Sequence, residues 1–436
     1  MTGLRGDRAY SGQMRSRRVL GFCTTLAALL AVVPGPAQAD VPNDHWYANQ
    51  TPYGDVASAE VTTPPAGYEM VFLETVARHG SRAMVTDDAE DRAMAIWRSA
   101  RSKGRLTTRG KSFAKDLATF QKAEKAVGYG RLSTIGKKEW RGIGRRTADS
   151  YAGFFADVKA AGDRIAMTTS PVYRTKQSAS AMRSGISEQV PGLALAPQTV
   201  DKKLVITSGS SKAGKAAIAK VLRRSSIRGA ARHVLLRMYR GSYVDTIKDP
   251  VGAALDVYAL YQQAAGMQAD TGVTFATYVA VRDAKVLASA KDAQNFYRYG
   301  PGVKGERTSF TQARPILDDF FDRLDARLAG SRTAAVFRHA HGETTMPFAA
   351  LIRAPGSEKQ APRSTPYSYG SNPWRGYLAG RLAGNIEWSA FRNADGAVLV
   401  TMRYNEKPVT FIGSCTPSAL GGGWFYRVSQ LKKCLG

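Results

Sequence analysis

The stretch "VFLETVARHGSRAM", Val71–Met84, decides the fold. Its first half, Val71-Phe72-Leu73 with Val76 and Ala77, is an apolar run of strand length. Its second half, Arg78-His79-Gly80-Ser81-Arg82, packs two arginines, a histidine and a glycine into five positions. A strand buried on both faces reads as a near-continuous hydrophobic run. In open α/β sheets, functional groups gather beyond the carboxyl ends of such strands. The segment therefore reads as a central strand over about 69–77 that delivers a polar cluster to a site.

Two other short runs end the same way. "RIAMTTSP", Arg164–Pro171, leads into "VYRTKQSA" and offers Arg174; "RTAAVF", Arg332–Phe337, leads into "RHAHGET" and offers His339, His341 and Glu343. The chain has five histidines, and three of them lie at two of these strand ends. His45 and His233 read as ordinary surface or core histidines. A basic, helix-forming stretch runs over about 89–126, and amphipathic spacing predicts a long helix over "LSTIGKKEWRGIGRRTADSYAGFFADVKAAG", with Ser133 or Thr134 as N-cap. Residues 205–300 are rich in Ala, Leu, Lys and Arg at helical spacing and predict an all-α insertion. "GNIEWSAFR" and "AVLVTMRYN" flank Asp395-Gly396 and predict an antiparallel hairpin. The fold class is thus α/β, a mostly parallel central sheet flanked by helices. An α/β core over 40–204 and 301–436 carries the helical second domain over 205–300 and a C-terminal hairpin.

The N-terminus has the three-part pattern of a secretory signal peptide over residues 1–39. A basic Met14-Arg15-Ser16-Arg17-Arg18 precedes the uncharged run Leu20–Val33, and small residues Ala37 and Ala39 precede Asp40. The run is short for a membrane span, so the mature chain is read as secreted, extracellular or in the cell envelope, without stable membrane insertion. Cys23 leaves with the leader. Cys415 and Cys434 remain as an even pair in an oxidising compartment and predict a disulfide. Hydrophobic content of 44% and charged content of 22% are those of a soluble globular chain, but the net charge is +27 over 436 residues. Residues 97–146 hold 15 Lys and Arg against 3 Asp and Glu. Such a balance suits a polyanionic partner. No nucleic-acid motif, metal-ligand set or cofactor motif is present.

Several arginines at one point repel each other unless they share an anion, and guanidinium groups bind phosphate oxygens in pairs. A neutral imidazole among them, beside a glycine that lets the backbone turn closely, suits a nucleophile attacking phosphorus. Its other nitrogen is expected to donate to a backbone oxygen. A protonated glutamate can supply the proton a leaving alkoxide needs.

"ARHGSRAM" resembles the Arg-His-Gly-x-Arg-x-Pro motif of the histidine acid phosphatases (histidine phosphatase superfamily, branch 2). "LSTIGKKEWRGIGRRTADSY" and "TTSPVYRTKQSASAM" are similar to two further segments of that family. "NQTPYG", "NFYRYGPGVKG", "HGETTMPFAALI" and "YNEKPV" resemble landmarks of its multiple inositol-polyphosphate phosphatases. The resemblance implies a phosphohistidine-forming nucleophile at His79, a phosphate clamp of Arg78, Arg82 and Arg174, a phosphate-binding His341 and a proton donor at Glu343. His339 then falls one strand period behind His341, on the same side of the strand. Gly342 stands for the family's alanine, and Met84 stands where the motif has proline. The implied substrates are inositol polyphosphates, with phytate the candidate. Two alternatives remain open: a general histidine acid phosphatase on small phosphate monoesters, and a non-enzymatic secreted polyanion binder.

Overall fold

A computed structural model describes residues 46–207 and 209–436. The expected leader over 1–39, Cys23 and His45 lie outside the described residues. Eight strands form one sheet: β1 Tyr68–Arg78, β2 Arg164–Thr169, β3 Thr199–Val200, β4 Thr333–Ala340, β5 Asn385–Asn393, β6 Val398–Tyr404, β7 Lys407–Val409 and β8 Tyr426–Arg427. Their order is β3-β2-β4-β1-β5-β6-β7, with β8 also on β6. β1, β2, β3 and β4 run parallel, whereas β5 joins β1 antiparallel. The hairpin therefore extends the central sheet instead of standing apart, and the sheet is mixed. Its turn forms as expected, with the Gly396 N–H on the Asn393 carbonyl at 3.0 Å and Gly396 at φ +82°.

β1 is central because it is apolar on both faces. Phe72 and Val76 join Leu317, Phe320 and Phe348 in one core cluster; Leu73 and Ala77 join Trp140, Ile143, Met182 and Ile186 in another. Each fully buried large side chain contributes roughly 1.5–3 kcal/mol. The layer over Leu73 and Ala77 includes the helices Thr134–Ser150 and Tyr173–Gln189. These two cross at glycines. A Cβ on Gly144 would lie 2.3 Å from the Met182 carbonyl oxygen, and one on Gly185 would lie 2.1 Å from that of Arg141. Any larger residue would push the helices apart, so the close approach fixes whatever their N-terminal turns carry.

The helix-forming stretch over 89–126 supplies two helices, Asp88–Ser102 and Thr108–Val127. Gly104 (φ +65°) turns the chain, and the Thr107 side chain caps the second helix. The long predicted helix from 132 breaks at Tyr151 and continues as Ala152–Ala160; Ser133 is its N-cap, accepting from the Gly136 N–H at 3.1 Å. Residues 205–300 supply the helices Lys212–Leu222, Ser225–Met238, Pro250–Ala265 and Val281–Tyr299. Val257, Phe275 and Leu287 from this region share an apolar cluster with Trp97, Phe113 and Phe120 of the two helices before residue 128. Cys415 and Cys434 form a disulfide, with Cα atoms 5.3 Å apart. Among the described residues no helix is long and apolar enough to cross a membrane.

Candidate active site

The carboxyl ends of β1 and β4, the loop after β2 and the loop 79–84 converge. His79 N–H bonds to the Ala340 carbonyl at 3.0 Å, which joins the end of β1 to the end of β4. The His79 and His341 rings lie 5.6 Å apart, centre to centre. His341 caps the helix Gly342–Leu351, so Glu343 falls in its first turn. Arg174 enters from the first turn of Tyr173–Gln189, and its Nη2 is 3.2 Å from His341 Nδ1.

His79 Nδ1 lies 2.9 Å from the Gly80 carbonyl oxygen. A carbonyl only accepts, so Nδ1 carries the proton and Nε2 keeps its lone pair. Burial lowers the His79 pKa well below the ordinary histidine value, and Arg174, Arg78 and Arg82 lower it further. Both effects favour the neutral ring. Burial also lowers Arg78 to about 10 and Arg82 to about 9; the Arg174 guanidinium lowers both, and Arg78 lowers Arg82 further. Among the described residues, Arg78, Arg82 and Arg174 each hold a buried Nε with no hydrogen-bond partner. Positive charge so poorly compensated favours an anion with several oxygens.

Arg78 Nη1 donates to the carbonyls of Asn49 and Gly380. Arg82 Nη1 donates to the Ala83 carbonyl at 2.8 Å and to Gln263 Oε1 at 3.4 Å, and Gln263 Nε2 donates back to the Arg82 carbonyl. The helix Pro250–Ala265 thus holds Arg82 through Gln263. Because Arg174 can only donate, His341 Nδ1 accepts and its Nε2–H points to Ser170 Oγ at 2.8 Å. Burial and Arg174 hold His341 at about 4, against a rise from Glu343. Both its nitrogens are engaged, so a phosphate oxygen bound by His341 would have to exchange with Arg174. Burial pushes Glu343 up, but Arg78, its own backbone N–H and His341 outweigh this and hold it below the usual carboxylate range. The side chain remains open to solvent, which softens that attraction. A Cβ on Gly342 would meet Arg78 Nε at 3.2 Å, so the missing methyl gives this guanidinium room.

His339 packs on Trp140. It is fully buried with its ring 4.6 Å from that of Trp140. His233 is half-exposed and 3.3 Å from Asp283 Oδ1. Two acids that the sequence reading passed over hold the loop. Glu139 accepts from the Ser81 N–H at 2.7 Å, Ser81 Oγ at 2.8 Å and the Tyr53 N–H at 2.8 Å. Glu124 accepts from the Met84 N–H at 2.5 Å. A signal existed: Asp116, Glu124 and Glu139 are the three acids among the fifteen basic residues of 97–146.

The family profile described as histidine phosphatase superfamily (branch 2) matches residues 69–224, the stretch that carries Arg78, His79, Arg82 and Arg174. The chain is a phosphoric monoester hydrolase, and its residues 69–224 are similar to the histidine phosphatase superfamily (branch 2). The multiple inositol polyphosphate phosphatase of Bifidobacterium longum, in complex with inositol hexasulfate, has a similar structure, with a TM-score of 0.86 and 26% identity over 90% of this hydrolase and 97% of that chain. The fold is shared more distantly with the phytase of D. castellii (TM-score 0.61, 11% identity, 93% and 88% covered). It is shared also with Hafnia alvei phytase in complex with myo-inositol hexakis sulphate (0.52, 14%, 85% and 97%). No curated protein matches the hydrolase.

Proposed function

We propose that this hydrolase removes phosphates from inositol polyphosphates, phytate among them, through a phosphohistidine at His79. The observation that carries the reading is the His79 tautomer: Nδ1–H on the Gly80 carbonyl at 2.9 Å leaves Nε2 as a lone-pair donor amid three arginines. In the first step Nε2 forms the bond to phosphorus and the ester P–O bond breaks. The leaving alkoxide takes the proton of Glu343. In the second step water attacks the phosphohistidine, its proton passes to the Glu343 carboxylate, and inorganic phosphate leaves with His79 neutral again. Arg78, Arg82 and Arg174 bind the phosphoryl oxygens and stabilise charge on them in the transition state. His341 shares in that binding by its exchange with Arg174. The solved Bifidobacterium longum enzyme with bound inositol hexasulfate supports the substrate class. So does the charge of +27, whose field draws in polyanions.

The same reading takes residues 40–204 and 301–436 as the phosphatase core and 205–300 as the helical insertion domain, with Gln263 reaching the clamp from it. It takes the chain as secreted, supported by the leader pattern of 1–39 and the Cys415–Cys434 disulfide. The test is a phosphoenzyme trap with labelled phytate. The expected result is an acid-labile, base-stable label on the wild-type chain and none on His79→Ala. An unlabelled wild type, or label that survives the replacement, overturns the mechanism.

A further inference from the structure

The loop that carries Arg82 is held on two sides. On one side it pairs with residues 130–133: the Ala83 N–H bonds to the Arg131 carbonyl at 2.9 Å, the Gly130 N–H to the Met84 carbonyl at 2.6 Å, and the Ser133 N–H to the Ser81 carbonyl at 3.0 Å. The Met84 N–H has its acceptor elsewhere, at Glu124 Oε2. Glu124 is fully buried in the last turn of Thr108–Val127. That is a poor place for a carboxylate, since the helix C-terminus carries partial negative charge and burial removes water. Its other oxygen is buried without a partner among the described residues, as is Oε1 of the nearby Glu90, whose Oε2 takes the Tyr129 hydroxyl at 2.6 Å. An acid in so costly a position needs a structural reason.

Position 84 supplies one. A proline there would fix φ and bring no N–H to satisfy. Methionine brings a donor and a freer backbone, two residues after a clamp arginine. We propose that Glu124 is a positioning residue for the phosphate clamp: by accepting the Met84 N–H it pins the backbone that presents Arg82, a task that proline performs through its ring. The inference rests on the reading of Arg82 as a phosphate ligand.

The experiment compares Glu124→Met, Glu124→Gln, Met84→Pro and the double variant Met84→Pro with Glu124→Met, using phytate hydrolysis and inorganic phosphate binding by calorimetry. Methionine fills the glutamate's space but cannot accept, so E124M should raise KM about tenfold and weaken phosphate binding as much, with kcat changed less than threefold. E124Q keeps a carbonyl oxygen for Met84 and should stay within about threefold of wild type in both constants. The double variant, which removes donor and acceptor together, should recover most of what E124M loses. E124M with wild-type KM and phosphate affinity overturns the proposal, and so does E124Q as impaired as E124M. Loss of folding in M84P leaves the comparison of E124M with E124Q decisive. Wild-type chain without His79-dependent hydrolysis would sink the proposed function instead, while the phosphate affinities of E124M and E124Q would still decide whether Glu124 positions an anion site.

Discussion

Replacing Glu139 by glutamine should disable the nucleophile without unfolding the protein. Both carboxylate oxygens of Glu139 accept from backbone N–H groups: Oε1 from Tyr53, with the Ser81 hydroxyl as a second donor, and Oε2 from Ser81. Burial pushes the Glu139 pKa up, while the N–H groups of Ser81 and Tyr53 and the Ser81 hydroxyl hold it down. Three donors converging on two oxygens leave no acceptor for a proton, so the ionised form fits the site. Glutamine must aim an NH2 at one of those N–H groups, whichever way its amide lies. One charge-assisted hydrogen bond is lost and one buried donor is stranded, which together cost about 3 kcal/mol. With the NH2 at the Oε2 position the displaced group is Ser81, whose neighbour Gly80 supplies the carbonyl that sets the His79 ring; with the NH2 at the Oε1 position it is Tyr53, whose fellow donor there is the Ser81 hydroxyl. A misplacement of about 1 Å at a reacting atom costs about 100-fold. Single-turnover measurement of phosphoenzyme formation should show that loss in rate, with KM changed only a few-fold and a cooperative melt retained at lower temperature. A Glu139→Gln chain that phosphorylates within threefold of the wild-type rate would refute the argument that loop geometry passes through this carboxylate.

Three further outcomes are expected. With Glu343 acting as an acid while Arg78 favours its anion, kcat/KM should decline as pH rises from the acid side; Glu343→Gln should be slower by about 10²–10⁴ and lack that decline, and a flat wild-type profile would contradict the role. His339 is held neutral by burial, at about 3 against an ordinary 6.5, so its share of stability is whole above pH 6.5 and drains as pH falls toward 3. His339→Phe should therefore stabilise the chain at pH 4 by about 3 kcal/mol relative to its effect at pH 7, by urea titration, with hydrolysis unchanged. Opening the Cys415–Cys434 bridge, which spans 19 residues, should cost roughly 3 kcal/mol in the same titration, and an unchanged midpoint on reduction would count against it.

The parts of the site that sequence makes legible are those that depend on local pattern. Apolar runs end at Arg78, Thr169 and Ala340, and the polar residues that follow are the ones brought together. The helix break at Tyr151 was not legible, because amphipathic spacing continues through it while the backbone does not. Glu124 and Glu139 escaped for another reason. Their partners lie 40 and 58 residues away, and nothing in a local window distinguishes a buried acceptor from a solvated charge. Their scarcity among basic neighbours was the usable clue. His341 was placed at the site by alignment of short motifs, and its contact with Arg174 and Ser170 depends on long-range packing that periodicity does not reach.

The bonds of Arg78 carry a consequence for synthesis. Its guanidinium joins the carbonyls of Asn49 and Gly380, its backbone N–H takes the Gly384 carbonyl, and the next residue bonds to Ala340. A ribosome that has reached His79 has made less than a fifth of the chain and only one of these partners, Asn49. Some three hundred further residues must emerge before this arginine has all its partners. A nascent chain exposes a cationic motif with no finished cradle around it for most of its translation.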